Sequence, residues 1–167
     1  VDPDVDVTTV AANLAVGTAQ LGWRTLLVDG DLQAPVQDAL FRLPKAAGLS
    51  TLFEQPGIGR APIQPTAIDR LHLLPAGPPP ANPGELIERQ PLLDILNGQV
   101  GRPRLVLLSL SARARSGRFG AVNVILAGFD GAIVVAGRNR SGLRQLQRLT
   151  GALEDGGVPV LAPAVLP

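Results

Sequence analysis

At 167 residues and 46% hydrophobic content, the chain has the length of one domain and enough apolar surface for a core. A formal net charge of +1 excludes a broad electrostatic pull toward nucleic acid or membrane, and the lack of Cys beside a single His72 excludes disulfides, thiolate metal sites and His-rich zinc sites. No apolar run reaches the ~18 residues of a membrane span, and residues 1–6 are acidic rather than a basic signal region, so a soluble cytoplasmic chain is expected.

In chain order, the first expected helix covers residues 8–20, with Val10, Leu14 and Leu21 near one face and Gly22 as its stop. A strand follows at 25–28 and ends in two carboxylates, Asp29 and Asp31, with a helix from about 33 to 40 behind them. Further strands are expected at 71–74, 105–110, 132–136 and 158–162. These runs are apolar almost throughout, as in strands covered on both faces. A mostly parallel sheet between two helical layers, a three-layer α/β fold, is the expected class.

Between the second and third runs, PAGPPPANP reads as a stiff connector, because proline lacks an amide donor and restricts its predecessor. Asn82 and Pro83 then serve as N-cap and first residue of a helix over 84–89, and 90–96 continues as a second short helix. The last helix is expected over 141–155, capped by Ser141. Leu143, Leu146, Thr150 and Leu153 form its apolar stripe, and Gly156 and Gly157 close it. Arg113, Arg115, Arg118, Arg138, Arg140, Arg144 and Arg148 concentrate positive charge late in the chain, as a solvated face or as a surface for an acidic partner or lipid. Trp23 is read as a packing residue.

Three segments, in order, carry a resemblance to a family. PDVDVTTVAANLAVGTAQLGWRTLLVDGDLQAP follows a line of PGEGKTT, helix, and strand ending in a DADLRRP-like run; LLPAGPPPANPGELI and FDGAIVVAGRNRSGLRQLQRLTGALEDGGVPVL follow it. Together they resemble the bacterial tyrosine kinases that control capsule and exopolysaccharide assembly, relatives of the ParA and MinD ATPases. The resemblance implies a single P-loop NTPase-like domain over residues 1–167, lacking its first strand, as a fragment of a longer product or an eroded copy.

The resemblance also locates a site. A P-loop cradles phosphate with backbone amides at a helix N-terminus, needs glycine at close approaches and uses a lysine to neutralise charge. Here Asp4 and Asp6 stand at family glycines and Val7 stands at the lysine, while Thr8 and Thr9 remain as residual nucleotide-binding positions. Asp6 alternatively reads as an N-cap that gains from the helix dipole. Losing one charge-assisted bond costs ~1.5–3 kcal/mol, and added carboxylates repel phosphate further, so ATP affinity is expected to fall by orders of magnitude.

By resemblance alone, Asp29 and Asp31 are the residual catalytic carboxylates, and Thr8 with Asp29 the residual metal ligands. Read from the residues, both aspartates are equally strand-end caps for the following helix. Ser109 occupies the position of the family's Walker B aspartate, and a hydroxyl cannot supply the charge that magnesium seeks. The expectation is a degenerate, catalytically impaired member with no bound cofactor, although the family uses ATP and Mg²⁺. Its expected partners are a membrane polysaccharide co-polymerase or a kinase-family subunit, with homo-oligomers a further expectation and no nucleic acid, at the inner face of the membrane through a partner or a missing N-terminal region. The alternatives are weak ATP binding by a tyrosine kinase with Lys45, the only lysine, supplying the ammonium, or a ParA/MinD-like ATPase.

Overall fold

The computed structural model describes residues 7–55, 60–87, 91–96, 103–110, 120–137 and 140–166. In chain order the elements are α1 (Val7–Gln20), β1 (Thr25–Asp29), α2 (Gln37–Leu40), α3 (Leu49–Glu54), β2 (Gln64–Pro65), β3 (Leu71–Leu74), α4 (Pro83–Ile87), α5 (Leu92–Leu96), β4 (Leu105–Ser109), α6 (Gly120–Ile125), β5 (Ala132–Gly137), α7 (Arg140–Asp155) and β6 (Val160–Leu166). Each expected apolar run is a strand. The last begins two residues later than its periodicity predicts, and β2 is an addition.

The described residues form two compact units, one containing α1 to α3 and β1 to β4, the other α6, α7, β5 and β6. In the first, the strand order is β2-β3-β1-β4. β1 pairs in parallel with β3 and β4, whereas the short β2 runs antiparallel to β3. β1 is buried along its whole length, which is why its sequence is apolar without alternation.

Helix α1 covers this sheet, but not with the predicted face. Its buried residues are Ala12, Ala15 and Ala19, and the cluster of Ala15, Ala19, Leu27, Leu71 and Leu73 is flanked by Ala11 and Val16. Leu14 and Leu21 point outward, 41% and 76% exposed. Small side chains let the helix lie close to the sheet, so packing volume selects the alanine stripe over the larger residues. Gly22 ends the helix as predicted: at φ +88° its amide bonds the Ala19 carbonyl, and the Trp23 amide reaches back to Thr18.

The proline-rich connector is held by α3, an element the sequence reading omitted. The amides of Leu49 and Ser50 bond the carbonyls of Pro75 and Ala76, and the Ser50 hydroxyl donates to the Pro78 carbonyl at 2.8 Å. This approach requires glycine at 48, where a Cβ would collide with the Pro75 carbonyl oxygen and the Gly77 amide nitrogen. Further along, α4 starts at Pro83 as expected, and the Asn82 amide group lies 3.5 Å from the Glu85 carboxylate.

In the second unit, β5 and β6 pair in parallel with an irregularity between Ala132 and Ile133, and α7 packs on both. α7 begins at Arg140, so Ser141 lies inside its first turn rather than at its cap. Leu153 is buried and Leu146 and Thr150 are half-buried, but Leu143 is 43% exposed, so the predicted stripe is buried only toward its C-terminal end. The Gly157 amide bonds the Glu154 carbonyl and the Val158 amide bonds Leu153, closing the helix at the glycines. No helix among the described residues is long and apolar enough to cross a membrane.

Candidate functional site

The C-terminal ends of β1 and β4 lie side by side, and Gln37 links the end of β1 to the first turn of α1. Parallel pairing sets Asp29 opposite Ser109, and the Gly30 amide continues the ladder by donating to the Ser109 carbonyl at 2.8 Å. A Cβ on Gly30 would lie 2.8 Å from that oxygen and 2.5 Å from Leu110 Cδ2, so the glycine allows the two strand ends to close together.

Asp29 is buried, 2% exposed. Its Oδ1 accepts the Asp31 amide at 3.1 Å and its Oδ2 accepts the Gln37 amide at 3.2 Å. Burial pushes its carboxyl up from 3.8 to about 6; the two backbone amides oppose that rise, and the nearby charges of Asp31 and Asp38 add to it. Near neutral pH, this group is an anion already committed to two backbone donors.

Asp31 does different work. Its Oδ1 accepts the amides of Gln33 at 3.1 Å and Ala34 at 3.0 Å, closing a turn rather than capping a helix over 33–40. The helix starts only at Gln37, because Pro35 disfavours a helical predecessor and breaks the segment. The capping reading of Asp29 is therefore corrected in register: it holds the start of α2 from eight residues away.

Gln37 is the residue that sequence reasoning missed. It is fully buried, its Nε2 donates to the Thr8 carbonyl at 3.2 Å, and its Oε1 is buried with no hydrogen-bond partner. One side chain thus ties the first turn of α1 to the end of β1. Nothing in the local pattern marks it, since an amide two residues after a proline reads as surface.

Of the other predicted positions, Val7 and Thr8 are half-buried in the first turn of α1, Thr9 is exposed, and Ser109 is 4% exposed. Asp4 and Asp6, including the N-cap reading of Asp6, lie outside the described residues, as do Arg113, Arg115, Arg118 and Arg138. Arg144, Arg148 and Lys45 are exposed. Among the described residues no three His, Cys, Asp or Glu side chains converge in a way that could hold a metal ion.

No family model matches the chain. It is 41% identical over 88 residues to CapB of Staphylococcus aureus, a candidate tyrosine-protein kinase, a match covering 53% of this chain and 39% of CapB. Against the tyrosine-protein kinase YwqD of Bacillus subtilis it is 36% identical over 85 residues, 51% of this chain and 36% of YwqD. The matched part is therefore well under half of either relative. Among solved structures, the chimerical protein CapA2B2 superposes with a TM-score of 0.79 at 26% identity, covering 98% of this chain and 71% of that one. The septum site-determining protein MinD from Pyrococcus horikoshii, solved with Mg-ADP, shares the fold at a TM-score of 0.76 and 22% identity, over 97% of this chain and 65% of its own.

Proposed function

We infer that this chain, similar to bacterial tyrosine-protein kinases and sharing the MinD-like P-loop fold, is a degenerate kinase domain that acts as a non-catalytic scaffold or regulatory partner. The observation that carries the reading is the end of β1 facing the end of β4. A magnesium site there has one strand-end carboxylate, Asp29, and both of its oxygens hold backbone amides; opposite it stands the hydroxyl of Ser109. Support for the reading comes from Val7, which begins α1 without an ammonium, and from Asp31, whose Oδ1 accepts the two amides of its own turn.

The chain is read as one P-loop-like domain with Thr8, Thr9, Asp29 and Asp31 as vestigial positions. Its setting is envelope polysaccharide assembly at the cytoplasmic face of a membrane, with a co-polymerase or a kinase-family subunit as partner, and homo-oligomers as a further form. The test is titration of the purified chain with a fluorescent ATP analogue and Mg²⁺, together with radiolabel transfer to a tyrosine-rich kinase tail. No saturable binding below millimolar concentration and no transfer are expected. Micromolar binding or labelled tyrosine overturns the reading, and loss of that binding in Lys45→Ala assigns the ammonium to Lys45.

A further inference from the structure

The opposite end of the first sheet, remote along the strands from Asp29, carries a feature that the nucleotide site does not use. β3, β1 and β4 are consecutive and parallel, and each is preceded by arginine: Arg70, Arg24 and Arg104. The ladder extends through these residues, with the Thr25 amide bonded to the Arg70 carbonyl at 2.9 Å and the Arg104 amide to the Arg24 carbonyl at 2.8 Å. Neighbouring strands are about 4.8 Å apart, so three guanidinium side chains spring from one row.

All three arginines are exposed. Arg70 adopts a left-handed backbone, φ 64°, donates to the Gly22 carbonyl at 3.2 Å and pairs with exposed Asp69 at 3.3 Å. The Arg104 guanidinium lies 4.5 Å from the centroid of the half-buried Trp23 ring. Beside them, in the turn that leaves α1, Leu21 is 76% exposed. The edge therefore combines three cations and one carboxylate with an indole and an outward aliphatic side chain.

We propose that this edge of the sheet is a docking surface for an anionic phospholipid bilayer, with Arg24, Arg70 and Arg104 facing lipid phosphates and Leu21 and Trp23 entering the headgroup region. Cations near an anionic leaflet gain attraction, and indole rings favour the membrane interface. Leu21 decides between anionic partners: it contributes nothing against a phosphate backbone in water, whereas in acyl-chain boundary it leaves water. The surface is independent of whether nucleotide binds at the other end of the strands.

Trp23 is the only Trp and the chain has no Tyr, so its emission reports this edge alone. The 167-residue chain is mixed with vesicles of phosphatidylcholine, or of phosphatidylcholine with phosphatidylglycerol, and followed by tryptophan emission and flotation. A blue shift and flotation are expected with the anionic vesicles only, both reversed near 1 M salt, where the Debye length is about 3 Å. Each Arg→Gln change weakens partitioning about fivefold, and the triple variant on the order of a hundredfold. Leu21→Ser retains salt-sensitive flotation but loses most of the blue shift. Should the triple variant fail to fold by circular dichroism, Arg24→Gln alone carries the test at smaller amplitude. Equal binding to neutral vesicles, no binding to either, or binding to duplex DNA or polyglutamate in place of anionic vesicles overturns the proposal.

Discussion

Replacing Asp29 by Asn tests the electrostatics of the candidate site through stability rather than activity. A carboxyl moved from 3.8 to about 6 is harder to ionise in the fold by roughly 3 kcal/mol. Because the folded-state value is the higher one, the native protein binds the proton more tightly than the unfolded chain between pH ~4 and ~6. Stability therefore falls as pH rises through that window, and the full penalty is present above it. Asn carries no charge but has one carbonyl oxygen for the two amides of Asp31 and Gln37, a loss of about 1 kcal/mol. At pH 7.5 Asp29→Asn should thus be more stable than the parent by about 1–2 kcal/mol; near pH 4.5, where the parent's carboxyl is protonated, it should be equal or less stable by about 1 kcal/mol. Urea denaturation of both proteins at the two pH values reads the crossover. A difference of the same sign and size at both would refute the assignment of a burial-raised carboxyl at Asp29.

The buried amide is tested by size and polarity separately. Gln37→Met keeps the volume and removes the unpartnered Oε1, so its urea midpoint should correspond to a loss within about 1 kcal/mol, whereas Gln37→Ala should lose roughly 2–4 kcal/mol through the cavity. Gly48→Ala should lower thermal stability by the equivalent of about 2 kcal/mol or more, because its Cβ meets the Pro75 carbonyl; an unchanged melting temperature would show that α3 does not grip the connector. Gly84→Ala in α4, with open space around the added methyl, should instead raise stability by about 0.5–1 kcal/mol on the same scan.

The sequence by itself determined the elements whose signal is local. The apolar runs became β1, β3, β4, β5 and β6, and burial accounts for the composition of β1 and most of β3, whereas β6 keeps Leu161 and Val165 exposed; Gly22 and Gly157 ended their helices because only a left-handed backbone allows those reversals. The pairing of Asp29 with Ser109 follows from two strands that are each legible as apolar runs. Tertiary structure decided what depends on distance in the chain. It chose Ala12, Ala15 and Ala19 over Leu14 as the buried face of α1, since close approach to a sheet rewards small volume rather than hydrophobicity. It buried Gln37 against Thr8, 29 residues away, and raised the Asp29 carboxyl by withdrawing it from water. It also aligned Arg70, Arg24 and Arg104 into one row, which no window of sequence contains, because strand register, and not chain order, makes them neighbours.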